Sequence, residues 1–350
     1  MRAATIVSSG QALEIQERAI PKPIGKEVLI KVEAAGVCHS DLHFRDGAYQ
    51  MGGGRILQLH ERGVNYPLIP GHEVAGTVEA CGESVLEFSL NERVLVYPWM
   101  GCTICRSCEL GDEHLCVHPK SLGLYQSGGY AEYILVPDMK YLVPIGDLAV
   151  EMATTLACSG LTAYTAVKKV EKTQAQNVVL IGMGGLGLCA IQLLAYLFKD
   201  IFVVAVDVDD RKLEEAQRLG ADSVINSKTE EAVEEIKKLC GGGADCVIDF
   251  VNMSATASLG FSCLRKRGSL ILVGLFGGDL TVSLPLFPMM SISIEGAYTG
   301  RLSDLHKLVQ LAQKGVLQPL VSKSYSLDEV NQALNDLENG KVLGRALLKP

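Results

Sequence analysis

Asn177-Val-Val-Leu-Ile-Gly-Met-Gly-Gly-Leu-Gly187 is the stretch on which the reading of this chain turns. An apolar run ends at Ile181, Gly182-Met-Gly-Gly-Leu-Gly187 follows, an apolar helical stretch covers Leu188 to Leu197, and a second apolar run ends at Asp207. G-x-G-x-x-G alone is a weak signal, but between a strand and a helix, with an acid about 20 residues further on, it describes a dinucleotide site. Gly182 is expected to make the tight turn, Gly184 to let the backbone approach a pyrophosphate, and Gly187 to let the helix pack closely on the sheet. The helix start, with Gly185 and Leu186, offers free amides to phosphate oxygens. Asp207 would accept hydrogen bonds from the adenosine ribose diol and repel a 2′-phosphate, which favours NAD over NADP. Arg211 and Lys212 lie near enough to offset part of that repulsion. The bland alternative is a glycine-rich loop beside an incidental acid.

Outward from this loop, short continuous apolar runs recur at Val178–Ile181, Phe202–Val206, Ser223–Ile225, Cys246–Phe250 and Leu270–Val273. Helical stretches at Asp210–Leu219, Thr229–Leu239 and Ala255–Leu264 separate them. Strands buried on both faces read this way, so a doubly wound α/β parallel sheet is expected. Before about Ala157 the pattern is mostly β, with half-buried runs at Glu27–Val37, Val74–Glu79, Arg93–Pro98 and Tyr130–Val136. Ser291–Glu295 reads as one more strand, and Ser326-Leu-Asp-Glu329 as a capping box opening a helix to Leu337. The expected division is 1–157, 158–295 as the nucleotide domain, and 296–350 returning to the first domain. A cleft between domains is the default place for cofactor and substrate.

The composition agrees with small-molecule chemistry. A chain of 350 residues that is 48% apolar supports two cores, and a formal charge of -8 argues against a nucleic-acid surface. Asn177–Phe198 imitates a membrane span in hydropathy, but its glycines break it into strand, turn and helix, so no membrane partner is expected. Eleven cysteines without an apolar leader at Met1–Gly10 suggest a reducing compartment, the cytoplasm.

Four of those cysteines, Cys102, Cys105, Cys108 and Cys116, are separated by two, two and seven residues. Two-residue gaps let thiolates turn back on one centre, and four sulfurs at about 2.3 Å close a tetrahedral shell around zinc. Such a shell leaves no open position, so it holds shape and does not catalyse. A second constellation is mixed: Cys38-His-Ser-Asp-Leu-His43 and Gly71-His-Glu-Val-Ala-Gly76, with Gly82 and Val85 continuing a glycine-spaced run.

With these residues in place, the chain resembles the zinc-dependent medium-chain alcohol dehydrogenases from end to end, and most closely the compact tetrameric prokaryotic and archaeal ones. The resemblance rests on G-H-E-x-x-G at Gly71–Gly76, on the four-cysteine lobe at 101–116, and on the nucleotide loop with Asp207. It implies a Rossmann domain beside a mostly β, GroES-like catalytic domain. It also implies two zinc ions per subunit, NAD, and a homotetramer with Ser291–Gly300 as a sheet-edge contact. Asn91-Glu-Arg-Val94 departs from the family's Gly-Asp-Arg-Val, though Asn tolerates the positive φ of that turn.

By the same resemblance Cys38, His72 and Cys158 hold the catalytic zinc. Glu73 approaches the metal from behind, and Asp41 accepts from the His72 ring. Ser40 takes the alcohol proton and His43 is the terminal base, while the hydride passes to the nicotinamide. His39 and Arg345 are expected on the pyrophosphate, Val273 and Leu275 on the cofactor, and Trp99 with Leu275 along the substrate pocket. The implied activity is reversible hydride transfer between a primary or secondary alcohol and NAD, giving aldehyde or ketone plus NADH. Two alternatives share the fold. One is a zinc enzyme for a polyol, sugar or hydroxyacyl substrate, although polyol enzymes tend to place a glutamate where this chain has Cys158. The other is a zinc-free quinone reductase, a group that lacks Cys38 and His72. His60, His114, His118 and His306 match no ligand position, and Cys81, Cys189, Cys240, Cys246 and Cys263 read as core or strand residues.

Overall fold

The continuous apolar runs in the middle of the chain form a six-stranded parallel sheet. Its order is Ser223–Asn226, Phe202–Asp207, Asn177–Ile181, Ala244–Asp249, Leu264–Leu272 and Ser293–Gly296. Asn177–Ile181 is buried at every position, as a central strand with helices on both faces must be. From it the chain steps outward to one side, then returns to build the other. The carboxyl ends of Asn177–Ile181 and Ala244–Asp249, where Ile181 stands opposite Asp249, therefore flank the crevice in which such sheets take ligands. The structure is a computed structural model that describes residues 1–229, 231–318 and 320–350.

The alternating runs of the first part and the tail make a seven-stranded sheet. Its backbone is Val28–Val37, which pairs antiparallel with Glu73–Cys81 along its length, with Tyr133–Val136 at its start and with Arg345–Lys349 at its end. Arg93–Val96 and Leu142–Pro144 extend one side, and Val321–Ser326 the other. The tail thus returns to the first sheet through backbone pairing. Asn91 adopts φ 66° ahead of Arg93–Val96, so the Asn-for-Gly departure is accommodated.

Packing divides the chain into one unit of 1–48, 58–161 and 299–350 and another of 49–57 and 162–298. Two differences from the expected division have physical reasons. The change of pattern near Ala157 falls inside a continuous helical stretch, Val150–Thr155, Leu156–Gly160 and Leu161–Val170, so the boundary comes at 161/162 and Cys158 belongs to the first unit. The segment 49–57, between paired strands Ala48–Gln50 and Ile56–Gln58, packs with the second unit, where Arg55 faces Asp279 at 3.8 Å.

Smaller adjustments follow from local geometry. The strand expected at Leu270–Val273 starts at Leu264, which ends the preceding helix at Ser262. The helix expected at Thr229–Leu239 spans Ala232–Leu239, and Glu230 lies outside the described residues. Asn177–Phe198 resolves into a strand, a turn and the helix Gly185–Leu197. Among the described residues no helix is long and apolar enough to cross a membrane.

Candidate metal and nucleotide sites

Val28–Val37 ends by delivering Cys38 to the N-cap of the helix His39–Asp46, so the thiol sits where strand gives way to helix. His72 precedes the neighbouring strand Glu73–Cys81, and Cys158 lies within Leu156–Gly160, a single π turn set between two α-helical segments. π turns insert one residue into the helical ladder and re-aim the side chains around it. All three residues are buried, and their ligand atoms lie within 4.8 Å of one another. They come from three separate parts of the chain, and the packing of that helical turn against the strand Glu73–Cys81 brings them together.

The electrostatics of the triad suit a cation. The Cys158 thiol hydrogen-bonds Cys38 and holds its pKa well below the usual thiol range; burial opposes this and Arg345 assists it. His72 Nδ1 lies 3.2 Å from Asp41 Oδ1, a contact that assigns the ring proton to Nδ1. In the neutral ring the lone pair is then on Nε2, which is fully buried and has no hydrogen-bond partner; against burial, Asp41 and then Cys38 pull the ring pKa well above 6.5, as an anionic pocket built for a cation does. Two sulfurs and an unpartnered imidazole nitrogen are the donor set of a catalytic zinc, with the fourth position left open. The residues fit that ion, and an unsatisfied buried nitrogen is hard to account for otherwise.

Asp41 is the organising carboxylate. Its Oδ2 accepts from the Cys38 amide at 2.9 Å and the Tyr130 hydroxyl at 2.9 Å, and its Oδ1 faces the Gly71 amide at 3.2 Å besides His72. Glu73 lies behind the triad. Its Oε1 accepts from the Ser159 amide and from the Arg345 guanidinium, each at 3.0 Å, and burial raises its carboxyl pKa to about 7 against the pull of Arg345. Arg345, expected on a pyrophosphate, is 4% exposed, with Nη2 on Glu73 and 3.8 Å from Cys38 Sγ. The strand Arg345–Lys349 pairs with the end of Val28–Val37, and that pairing carries the side chain inward.

The helix His39–Asp46 also carries the expected proton path. His39 and Ser40 form its first turn, and Ser40 and His43, three residues apart, share a face. Both are partly exposed, and burial holds the His43 pKa below its ordinary 6.5. The Trp99 ring lies 5.5 Å from that of His72 and the Phe44 ring 5.8 Å, so two aromatic groups enclose the imidazole. Trp99 therefore stands at the metal triad. Leu275, in the other unit, is 41% exposed.

The four-cysteine lobe is assembled locally. Cys102 to Cys105 turn through Thr103 at φ 68°, and Cys105 caps the short helix Arg106–Glu109. Cys105 Sγ lies 3.6 Å from Cys108 Sγ and 3.7 Å from Cys116 Sγ. A disulfide needs about 2.05 Å, whereas sulfurs at 2.3 Å from a tetrahedral centre stand roughly 3.8 Å apart. All eleven cysteines are free, and the amides of Cys102 and His118 donate to Cys116 at 3.2 and 3.3 Å. Amides of Cys108 and Val117 draw the Cys105 thiol down to about 6, while burial pushes Cys108 up to about 12. The spacing and the amide donors fit one zinc. Among the described residues these two groups are the clusters able to hold a metal, and neither His60, His114, His118 nor His306 joins them.

In the nucleotide unit each glycine has a separate steric reason. Gly182 has φ 92°, and a methyl there would meet Val251 at 2.6 Å. A methyl on Gly187 would meet the Gly182 carbonyl and come within 2.9 Å of Met183 Cε. Gly184, the N-cap of the helix, faces open space, with nothing within 4 Å of an added methyl. An unobstructed backbone at a helix start is what a pyrophosphate requires, so the loop fits a dinucleotide. Asp207 is buried beside it, accepting from Met183 at 2.6 Å, Val208 at 2.7 Å and Asp209 at 3.0 Å. Arg211 is ion-paired to Asp209 at 2.7 Å, so its charge is already partnered. Val273 follows the end of the strand Leu264–Leu272, with its amide on Asp249.

Residues 25–147 match the alcohol dehydrogenase GroES-like domain, and residues 185–314 match the zinc-binding dehydrogenase family. An NAD-dependent alcohol dehydrogenase from Sulfurisphaera tokodaii is 42% identical over 352 residues, and the match covers 100% of each chain. One from Saccharolobus solfataricus is 40% identical, again over 100% of each chain. The crystal structure of the alcohol dehydrogenase from Aeropyrum pernix has a TM-score of 0.91 at 34% identity and covers 100% of both chains. The chain belongs to the zinc-binding, medium-chain alcohol dehydrogenase family.

Proposed function

We propose that the protein is an NAD-dependent zinc alcohol dehydrogenase that interconverts primary or secondary alcohols with aldehydes or ketones. The observation that carries this reading is the buried convergence of Cys38, His72 and Cys158 around an imidazole nitrogen with no partner. When bound, zinc supplies a Lewis acid that acidifies an alcohol oxygen, and NAD supplies the hydride acceptor. Cys38, His72 and Cys158 hold the ion and leave one position for substrate. Asp41 fixes the His72 tautomer, and Glu73 balances Arg345 behind the ligands. Ser40 accepts the alcohol proton and His43, on the same helix face and neutral at pH 7, passes it to water. Trp99 walls the metal site and keeps it dry.

On the cofactor side, the Gly182–Gly187 loop, with the Gly185 and Leu186 amides, receives the pyrophosphate. Asp207 receives the ribose and Val273 borders the nicotinamide half. Lys212 lends positive character to the ribose end. Cys102, Cys105, Cys108 and Cys116 hold a second, structural zinc. A homotetramer in the cytoplasm is the assembly we favour. Ser293–Gly296 is an edge strand that a second copy can extend, and eleven free thiols suit a reducing compartment. A panel of alcohols, diols and ketones followed by NADH absorbance, with metal analysis of the same sample, tests the proposal. Turnover of simple alcohols with two zinc ions per chain is expected. Turnover confined to sugars, or retained after Cys38→Ser, refutes it.

A further inference from the structure

Tyr130 follows Gly128-Gly129 and leads into the strand Tyr133–Val136, with its side chain fully buried in the first unit. Its ring occupies the place where residue 71 lacks a side chain. Gly71 has φ 94°, and a methyl there would lie within 2.8 Å of Tyr130 Cε1. Its hydroxyl lies 2.9 Å from Asp41 Oδ2 and 3.4 Å from the Gly36 carbonyl. One proton serves one short bond, and the bond to the carboxylate is the shorter and charge-assisted.

The other three groups around Asp41 are the Cys38 amide, the Gly71 amide and His72 Nδ1. All three belong to the segments that carry the metal ligands. A carboxylate held only by the groups it is meant to hold does not fix them in space. Tyr130 adds a donor from a separate stretch of chain: its amide donates to the Pro70 carbonyl at 3.1 Å, beside the His72 segment, and its carbonyl accepts from the Ala4 amide at 2.8 Å, which ties it to the strand Arg2–Thr5 as well. With it, each Asp41 oxygen has two partners, which fill the carboxylate's acceptor sites and fix its plane. Without it, Oδ2 keeps only the Cys38 amide and the carboxylate is free to turn, taking Oδ1 away from His72.

We propose that Tyr130 is a positioning residue for the metal ligand His72, acting by anchoring Asp41 through its hydroxyl while its ring packs against Gly71. The proposal rests on the reading of Cys38, His72 and Cys158 as a metal site. Tyr130→Phe tests it, because the ring that fills the space at Gly71 is retained and only the oxygen is lost. Tyr97→Phe is the control: Tyr97 is equally buried, and its hydroxyl donates to the Gly300 carbonyl at 2.8 Å, away from Asp41.

Zinc transfer from the purified protein to a chromogenic chelator is measured for wild type, for both variants, and for Cys38→Ser, which identifies the triad's equivalent. Loss of an outer partner of a metal-ligating histidine weakens metal affinity by about 10–100-fold. For Tyr130→Phe we expect the low end, about tenfold, at the triad alone, with the four-cysteine lobe unchanged. We also expect altered visible bands when the triad is loaded with cobalt(II). Tyr97→Phe should lower the melting temperature and leave both zinc affinities as in wild type. If Tyr130→Phe keeps wild-type zinc affinity at the triad and wild-type cobalt bands, the proposal is wrong, whatever its melting temperature. If wild type holds no zinc that Cys38→Ser removes, the metal reading fails first, and this inference with it.

Discussion

Gly184→Ala separates a glycine required by a ligand from one required by the fold. Gly184 has φ -83° and ψ -162°, extended backbone that alanine adopts freely, and its added methyl has nothing within 4 Å. Removing a glycine's freedom from the unfolded chain stabilises by about 0.4–1 kcal/mol. Alanine is a poorer N-cap than glycine by an amount of the same order. The two nearly cancel, so the melting temperature of the cofactor-free protein should change by no more than about 4 °C. Binding is another matter. A phosphate oxygen must come within about 3 Å of the amides at the helix start, and a methyl projecting into that space holds it off. Hydrogen bonds to charged groups contribute about 1.5–3 kcal/mol each, so losing two weakens NAD binding by at least about 100-fold. Gly187→Ala is the contrast. Its methyl runs into the Gly182 carbonyl and Met183, and overpacking of that kind costs about 1–3 kcal/mol before any ligand is added. Calorimetric titration with NAD and a thermal melt without it read both quantities. An NAD affinity for Gly184→Ala within threefold of wild type would show that the loop is not the pyrophosphate cradle.

Four further outcomes can be measured independently. Asp207→Gly should raise the ratio of kcat/KM for NADP to that for NAD by at least about tenfold, the scale of one relieved charge contact near a surface; an unchanged ratio contradicts the ribose assignment. Cys105→Ser should bind one zinc per chain and melt at lower temperature, while Cys38→Ser should also bind one zinc but lose turnover and still bind NAD; identical behaviour of the two variants would erase the distinction between the sites. Because burial holds His43 below 6.5, its ring is neutral at pH 7, so kcat/KM for alcohol oxidation should stay level near neutrality and fall only once the pH drops below 6.5 and the base protonates. His43→Gln should remove that limb, and a limb unchanged in this variant assigns it to another group. Arg345→Met should destabilise the fold by about 3–5 kcal/mol, the scale for stranding one member of a buried pair, with a matching fall in the melting temperature; a neutral result would mean that Glu73 has another counter-charge.

What could be read without coordinates depended on how local the constraint was. The glycine loop, its strand and its helix were legible because the three are contiguous in the chain and the motif sits at their junction. The four-cysteine lobe was legible because thiols two residues apart must converge. Cys38, His72 and Cys158 were different: nothing in their spacing brings them together, and only resemblance to a family named them. The contact of Arg345 with Glu73 was not legible because its direction is set by pairing between Arg345–Lys349 and Val28–Val37, more than 300 residues away in the chain. Tyr130 carried no motif beyond the two glycines before it, and its role exists only through Asp41. The packing boundary at 161/162 was not legible because a change in residue pattern at Ala157 does not interrupt a helix that continues to Val170.

The π turn at Leu156–Gly160 leaves a helix less regular than its sequence allows, and Cys158 is aimed at Cys38 and His72 from inside that irregularity. Deleting one neighbouring residue would restore an uninterrupted ladder and swing the thiol roughly 100° around the axis, a quarter turn and more away from its partners. Such a shortened protein would be a better-wound helix and a poorer chelator. Length is therefore under tighter constraint in this stretch than residue identity, and a gap of one here marks a relative whose third ligand has moved or gone.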